Sequence, residues 1–398
     1  MRSGVPGPRR RLSYARQTVT APGFQALRVY VAGKALRNKI SDRSDRGASG
    51  FEEMLSFDFV EVFAQTAQLF HIHTQRENMS LPDKLPPLPV SEASRPPSKF
   101  LINLVMATIF ATTLSYRGLW KHSLSKSGAL AAWVVGFLSM GASLRFGALM
   151  ILFYQSSSML TRYRCETKAL LEEDHKQGGQ RSAAQVLACS FLGTLIAVAF
   201  VFLLGPDDLP LNFEASPLRS RLLCAYVGHY ACCNGDTWAS EIGILSPSSP
   251  RLVTAGFRRV VPRGTNGGMS LTGTLASIAG GALIGTGHSI LGFVLGMPDD
   301  ASGAGWCPGW FFMTVIGAAC GFIGSLSDSI LGGLFQATWY CAEKKRVVKH
   351  PTAQERQGRG AEQVRLISGL DLLSNEHVNL ISIALSTALA PVLGRLLW

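Results

Sequence analysis

Long apolar stretches without charge dominate the chain from residue 99 onward. Residues 128–144, 185–204 and 270–296 contain no Asp, Glu, Lys or Arg. Runs of about 18 or more apolar residues are long enough to cross a bilayer as helices. The pattern predicts an all-α fold, a polytopic membrane bundle of about seven to eight transmembrane helices. The apolar segments are 99–119, 128–144, 146–160, 185–204, 222–245, 270–296, 309–336 and 377–395, and the second and third are either two helices or one kinked helix.

The loops between the later segments alternate in charge. Loops 161–184, 246–269 and 337–376 are rich in Lys and Arg, which favour the cytosolic side of a membrane. We therefore expect these three loops on one face, with the C-terminus on the other. The loops between them contain Asp207, Asp208 and Glu214 in one case and Asp299 and Asp300 in the other.

Residues 1–98 differ in composition from the transmembrane region 99–398. The first 41 residues contain nine Lys and Arg and no acid. We interpret residues 1–98 as an N-terminal extension that is mostly disordered. Because basic, Ser-containing and acid-poor segments are also typical of organelle transit peptides, a targeting segment is the alternative.

Composition excludes several classes of protein. Only 16% of the residues are charged, against roughly 25% in an average soluble chain. The eight Cys form no Cys-x-x-Cys pair, which argues against a disulfide framework or a zinc site. The net charge of +12 belongs to loops of a membrane protein, so the expected partner is the lipid bilayer and not a nucleic acid. The sequence leaves the oligomeric state open.

The fifth apolar segment contains the densest group of polar residues. Ionisable groups inside a membrane cost about 2.5 to 3.5 kcal/mol each, so they need a partner or a role. Asp236 and Glu241 are five positions apart and converge on one ion only if the helix breaks near Gly235. Hard oxygen ligands suit Mg²⁺, whereas the alternative is two separately paired carboxylates. The polar group consists of Asn234, Gly235, Asp236, Thr237, Ser240 and Glu241.

A Gly-rich turn begins at Arg263, about twenty residues after this group. A guanidinium, backbone N–H groups and a helix N-terminus all favour phosphate oxygens. The alternative is a tight turn before a helix that Ser270 caps. No Walker-type Gly-x-x-x-x-Gly-Lys-[Ser/Thr] motif is present in the chain. The turn consists of Arg263, Gly264, Thr265, Asn266, Gly267 and Gly268.

Three further places carry polar groups that are candidates for the same site. Asp328, with Ser325, is either a second carboxylate on a shared ion or a helix-packing group. Asn375 and Asn379 are four residues apart at the start of the last helix, where capping explains one Asn but not both. Lys168 lies in a loop where charge costs little, so we expect either a phosphate contact or a solvated side chain.

Four of these motifs, in order, resemble those of a known integral membrane family, domain of unknown function 92. The family includes animal transmembrane protein 19 and the plant phytyl-phosphate kinase of tocopherol synthesis. The resemblance covers about residues 99–398. The motifs are Gly235-Asp236-Thr237-Trp238-Ala239-Ser240-Glu241, Arg263-Gly264-Thr265-Asn266-Gly267-Gly268, Gly324-Ser325-x-x-Asp328-Ser329 and Asn375-x-x-x-Asn379.

The resemblance implies transfer of a phosphoryl group from CTP or another nucleoside triphosphate to an isoprenyl, phytyl-like monophosphate. Such transfer depends on positioning and electrostatics. We expect Asp236, Glu241 and Asp328 to hold Mg²⁺ against the nucleotide phosphates. We further expect Arg263 and the backbone of residues 265–268 to cradle the phosphates. Asn375 and Asn379 then orient the acceptor phosphate.

Two other functions use the same residues. An ion- or proton-coupled transporter places the three carboxylates at a cation site between broken helices, although no internal repeat supports it. A non-catalytic scaffold uses the polar motifs only as caps and packing groups. The expected location is the endoplasmic reticulum or another organelle membrane.

Overall fold

A computed structural model of the protein describes residues 97–171, 180–205, 210–295, 309–348, 351 and 364–398. Residues 1–96, almost all of the predicted extension, lie outside this part of the chain, and so does its interpretation as disordered chain or targeting segment. The described residues form eight long helices and one short one. They are α1 (Pro97–Trp120), α2 (Lys126–Ala142), α3 (Leu144–Arg162), α4 (Cys165–Leu171), α5 (Ala183–Leu204), α6 (Pro217–Gly243), α7 (Leu271–Val294), α8 (Gly309–Phe335) and α9 (Asn375–Leu397).

Serine side chains set the start of five of these helices. A Ser hydroxyl before the first turn accepts a hydrogen bond from one of the otherwise unpaired N–H groups of the helix. The capping residues are Ser125, Ser143, Ser182, Ser270 and Ser374, before α2, α3, α5, α7 and α9. The predicted cap at Ser270 is therefore confirmed.

Four of the described helices, α5, α7, α8 and α9, are long and apolar enough to cross a membrane. The predicted class, a membrane helical bundle, is confirmed, but the predicted seven to eight crossings exceed these four. Helix α2 has only 17 residues, and α6 carries the polar group described above. Because α6 packs against α3, α5, α7, α8 and α9, Asn234 is fully buried, and Asp236, Thr237 and Glu241 are partly buried.

The second and third apolar segments are two antiparallel helices, not one kinked helix. Ser143 alone separates α2 from α3, and its extended backbone reverses the chain. A Cβ added to Gly147 of α3 would lie 2.5 Å from the Cβ of Met140 on α2, so the two helices fold back in close contact. At the open end of this hairpin, the hydroxyls of Ser123 and Tyr154 are 2.7 Å apart.

Glycine permits the closest helix contacts at the centre of the bundle. A Cβ on Gly235 of α6 would lie 2.7 Å from the Cα of Gly321 on α8 and 2.8 Å from the carbonyl oxygen of Ser277 on α7. Small residues allow such backbone approach between membrane helices. Helix α6 continues through Gly235, so the break that the three-carboxylate site requires does not occur.

Small sheets occupy the loops that follow α6 and α8, although the sequence predicted only helices. Strand β1 (Arg251–Leu252) pairs with β2 (Gly268–Met269), and both strands flank the Arg-Gly turn. Strand β3 (Thr338–Cys341) lies between β4 (Arg346–Val348) and β5 (Val364–Ser368), and both pairings are antiparallel. The N–H of Asn266 donates to Thr338 Oγ1 at 3.1 Å, which joins the two loops.

The three basic loops lie on one side of the bundle, as their charge predicts. Lys168, in the first loop, forms an ion pair with Glu241 at the end of α6, immediately before the second. The second loop contacts the third through Asn266 and Thr338. That this side faces the cytosol remains a prediction.

Candidate functional site

One cavity of about 470 Å³ brings most of the predicted site residues together. Its polar wall is built from α6, α8, the start of α9 and the turn between β1 and α7. Fourteen of the predicted residues line it: Asp236, Thr237, Ser240, Glu241, Arg263, Gly264, Thr265, Asn266, Gly267, Gly268, Ser325, Asp328, Asn375 and Asn379. The other three, Asn234, Gly235 and Lys168, do not.

Asp236 of α6 and Asp328 of α8 form a pair of carboxylates in this cavity. Ser325, one turn before Asp328, lines the cavity with both carboxylates, which lie close enough for their charges to interact. Ser382 of α9 donates to Asp328 Oδ2 at 3.3 Å. Among the described residues, neither carboxylate forms an ion pair with Lys or Arg. Two adjacent, half-buried carboxylates repel each other, so a cation between them is favourable.

Glu241 has a different partner from the one predicted. Its Oε2 atom lies 2.6 Å from Nζ of Lys168, whose side chain is only 2% exposed. The same ammonium group also donates to the carbonyl oxygen of Leu160 at 2.6 Å. The alternative of a solvated Lys168 is therefore wrong, because its charge is buried and already paired, whereas the phosphate contact remains a prediction. The pair instead fixes α4 and the end of α3 to the end of α6.

A metal site of three carboxylates is not formed. No group of three His, Cys, Asp or Glu in the described part of the chain is placed to hold a metal ion. The reason is geometric, since five positions on an unbroken α-helix turn Glu241 by about 140° from Asp236. Asp236 and Asp328 still suit Mg²⁺, which proteins often bind through one or two carboxylates together with waters and substrate phosphates. Hydroxyl and carboxylate oxygens in this wall are hard donors of the kind that Mg²⁺ requires.

Asn234 holds three helices together and does not face the cavity. Its Oδ1 accepts hydrogen bonds from Ser156 at 2.7 Å and Ser157 at 3.1 Å on α3. Its Nδ2 donates to the carbonyl oxygen of Gly280 on α7 at 2.8 Å. These bonds use three of the four hydrogen-bonding positions of the amide, and Asn234 has no exposed surface. Asn234 and Gly235 therefore serve as packing contacts of α6 outside the residues that line the cavity, and their binding roles remain predictions.

The Arg-Gly turn contributes the Arg263 side chain to the cavity, whereas three of its backbone N–H groups are already hydrogen-bonded within the protein. The guanidinium of Arg263 is half-buried and donates to the carbonyl oxygen of Pro247 at 3.3 Å. The N–H groups of Thr265 and Gly268 donate within the turn, and that of Asn266 donates to Thr338. These three amides are already used, so the predicted backbone cradle over residues 265–268 is wrong for them.

Glycine is required in this turn for two reasons. Gly264 and Gly267 have positive φ angles of 81° and 78°, where other L-residues are strained. A Cβ on Gly267 would also lie 2.7 Å from the Cα of Gly333 on α8. Gly267 therefore lets the turn pack against α8, and Arg263 at its start lines the same cavity as the carboxylate pair.

Asn375 and Asn379 both line the cavity from the first turns of α9. Ser374 caps this helix together with His377, so neither Asn is needed as a cap. Their amides are neutral donors and acceptors in the same cavity as the carboxylate pair, which suits them to orienting a polar ligand.

Apolar side chains line another part of the same cavity, which we call the apolar branch. They come from α1, α2, α3 and α5: Phe110, Leu114, Val135, Met140, Met150, Tyr154 and Val186. A cavity with both a polar, charged wall and an apolar wall fits an amphiphile with one anionic head group. Sequence patterns alone did not predict this part of the cavity, because an apolar residue that lines a cavity has the same pattern as one that packs in the core of the bundle.

Arg181 also lines the cavity, although the sequence indicated no more than a polar, basic loop at this position. It precedes α5, and a backbone bridge to Leu124 carries it to the cavity wall. The only signal in the sequence was the basic composition of its loop, because a bridge between residues so far apart has no local pattern.

Comparison with known proteins identifies the family. The profile of an integral membrane protein family, DUF92, matches residues 109–387. The chain belongs to this DUF92 family. Its relatives include Protein PGR of Arabidopsis thaliana, 35% identical over 290 residues, which is 73% of this chain and 95% of that protein. An uncharacterized membrane protein of Methanocaldococcus jannaschii is 26% identical over 75% of this chain and 95% of its own length.

A further DUF92 relative is the protein named VTE6, chloroplastic, of Arabidopsis thaliana. It is 26% identical over 214 residues, which is 54% of this chain and 56% of that protein. No solved structure matches the chain. The predicted family and the integral membrane location are thus confirmed, whereas nothing in these relatives supports the endoplasmic reticulum.

Proposed function

We propose that this DUF92 protein is a membrane-embedded phosphotransferase. It transfers a phosphoryl group from CTP or another nucleoside triphosphate to an isoprenyl monophosphate, and the product is the diphosphate. The observation that carries the proposal is one cavity whose wall contains Asp236, Asp328, Arg263 and the apolar branch, with no Lys or Arg ion-paired to either carboxylate in the described part of the chain. The family resemblance of the motifs supports the same reaction.

Different residues of the polar wall bind the metal ion, the donor phosphates and the acceptor phosphate. Asp236 and Asp328 would hold Mg²⁺, which when bound neutralises phosphate charge and aligns the phosphates. Arg263 binds phosphate oxygens of the donor, since a guanidinium matches them in charge and geometry. Asn375 and Asn379 orient the acceptor phosphate from α9. Glu241 acts through its ion pair with Lys168, which keeps the end of α6 in place.

The reaction requires alignment more than covalent help from the protein. An oxygen of the acceptor monophosphate attacks the γ-phosphorus of the donor, and the bond from that phosphorus to the β,γ-bridging oxygen breaks. The nucleoside diphosphate leaves with the electron pair of the broken bond. Because the attacking oxygen is already ionised, the protein needs no general base. The apolar branch holds the hydrocarbon chain and keeps water from the acceptor phosphate.

A phosphotransfer assay tests this proposal. The full chain is reconstituted in liposomes with farnesyl monophosphate, Mg²⁺ and γ-labelled CTP, ATP, GTP or UTP, and labelled farnesyl diphosphate is measured. We expect turnover by the wild type and at least a hundredfold less by Asp236→Asn, Asp328→Asn and Arg263→Ala, as roughly expected for groups that stabilise transferring phosphate. Arg258→Gln, an exposed arginine outside the cavity, is the matched control and should remain fully active.

The transporter hypothesis predicts a different result in the same liposomes. A wild type that transfers no label with any donor or with a longer prenyl monophosphate, yet carries cation or proton flux dependent on Asp236, would overturn the phosphotransferase proposal. The scaffold hypothesis predicts neither activity. Asp236→Asn would then change only the thermal stability of the protein.

A further inference from the structure

Arg181 is held in a fixed position at the wall of the cavity. Its backbone N–H donates to the carbonyl oxygen of Ser123 at 3.0 Å, and its own carbonyl oxygen accepts from Ser125 at 3.0 Å. The side chain is also anchored, since Nη1 donates to Ser158 Oγ on α3 at 2.9 Å. An arginine bound by both backbone and side chain is already ordered before a ligand arrives, so binding costs little conformational entropy.

The charge of Arg181 is not neutralised by an acid of the protein. In the ranges of the chain that the structure describes, Arg181 forms no ion pair with Asp or Glu. Ser158 is a neutral partner and uses one of the five N–H donors of the guanidinium. Because the side chain is half-buried and lines the cavity, its charge is directed toward whatever occupies that space.

Arg181 lies beside the apolar branch, whereas Arg263 belongs to the turn before α7. The bridge from Arg181 leads to Leu124, which packs with Val186 and Tyr154, and all three line the cavity. The cavity wall therefore includes two arginines from separate parts of the chain, and Arg181 is the one linked through Leu124 to Val186 and Tyr154 of the apolar branch. A transfer between two phosphates needs two anion sites, and the site next to the apolar branch suits the phosphate that carries a hydrocarbon chain.

We propose that Arg181 binds the phosphate of the lipid-soluble acceptor, and that Ser158 is the positioning residue that aims its guanidinium. The proposal rests on the proposed function for the reaction in which the acceptor takes part. The binding site itself does not require the transfer reaction: an anionic single-chain amphiphile binds with its head group at Arg181 and its chain in the apolar branch.

Binding without nucleotide tests this assignment independently of turnover. Farnesyl monophosphate and farnesol, which lacks the phosphate, are titrated against the detergent-purified full chain. We expect Arg181→Gln to weaken binding of farnesyl monophosphate about tenfold or more, the usual range for a lost charge-assisted hydrogen bond. Binding of farnesol should not change, because the apolar branch is intact. Ser158→Ala should give a smaller loss, and Arg258→Gln none.

The acceptor and donor are then separated kinetically. In the phosphotransfer assay Arg181→Lys, which keeps the charge but not the fork of donors, should raise KM for farnesyl monophosphate and leave KM for the nucleotide unchanged. If Arg181→Gln does not fold, the two KM values of Arg181→Lys test the proposal in its place. Equal loss of farnesol binding, an unchanged acceptor affinity, or a raised KM for the nucleotide alone would overturn the proposal.

The two proposals fail in different ways. A wild type without transfer activity that still binds farnesyl monophosphate through Arg181 contradicts the phosphotransferase proposal and supports the binding site. An active wild type whose acceptor KM does not depend on Arg181 contradicts the binding site alone.

Discussion

Lys168 and Glu241 are joined by an ion pair of 2.6 Å between Nζ and Oε2, although 73 residues separate them in the chain. The pair links α4 and the end of α3 to the end of α6, immediately beside the cavity. It explains how an acid and a base are accommodated in a largely apolar bundle. Removal of one partner leaves the other charge buried without compensation, which is usually far more costly than removal of both.

We therefore expect Lys168→Met to destabilise the protein by about 3 kcal/mol or more. The double variant Lys168→Met, Glu241→Gln should recover at least half of this loss. Thermal unfolding of the detergent-solubilised protein measures both, and Lys126→Gln, an exposed lysine at the start of α2, is the control. A single variant as stable as the control would show that the pair contributes nothing.

The extent to which the sequence predicted this site can be stated residue by residue. Asp236 and Asp328 were predicted because acids are rare in apolar segments, and Arg263 because it begins a Gly-rich turn; all three line one cavity. The partner of Glu241 could not be predicted, because the contact depends on how α4 folds back onto α6. The amphipathic pattern also gave no sign of the strands around the Arg-Gly turn, since two-residue strands have too few positions to show a period.

Asn234 is a second residue whose role the sequence pattern leaves open. A polar residue next to Asp236 suggested a role in binding, but its Oδ1 accepts from Ser156 and Ser157 and its Nδ2 donates to Gly280. Ligand binding and helix packing can both use an Asn side chain. Only the positions of the neighbouring helices show which of the two roles the side chain has.

Replacement of Asn234 should accordingly affect stability rather than chemistry. We expect Asn234→Ala to cost about 2 to 4 kcal/mol, because it leaves the carbonyl of Gly280 and two hydroxyls without their partner. Ser156→Ala removes one of two donors to Oδ1 and should cost less. Below its unfolding temperature, Asn234→Ala should retain the wild-type KM for donor and acceptor, and a raised KM with normal stability would instead place Asn234 in the binding site.

Gly235 couples helix packing to the carboxylate pair. A Cβ at this position would meet the backbone of Gly321 and Ser277 at 2.7 and 2.8 Å, so Gly235→Ala must push α6 away from α7 and α8. We expect a loss of about 1 to 3 kcal/mol, the usual cost of overpacking, together with lower transfer activity because Asp236 and Asp328 move apart.

Gly141→Ala is the control for this substitution. It also lies in a helix, but its Cβ would meet only the Cβ of Ala107, at 4.0 Å. We expect near-normal stability and activity, measured by thermal unfolding and by the phosphotransfer assay. Equal effects of the two alanines would contradict the close packing of α6 at Gly235.

The central claim is that Asp236 and Asp328, from two different helices, bind one divalent cation together with nucleotide phosphates. Electron paramagnetic resonance of Mn²⁺, titrated into the purified protein with CTP and a non-reactive acceptor, measures this binding directly. We predict one tightly bound Mn²⁺ per chain in the wild type and in Glu241→Gln, and none in Asp236→Asn or Asp328→Asn. Wild-type binding retained in both Asp variants, or lost in Glu241→Gln while its fold is intact, would contradict the account.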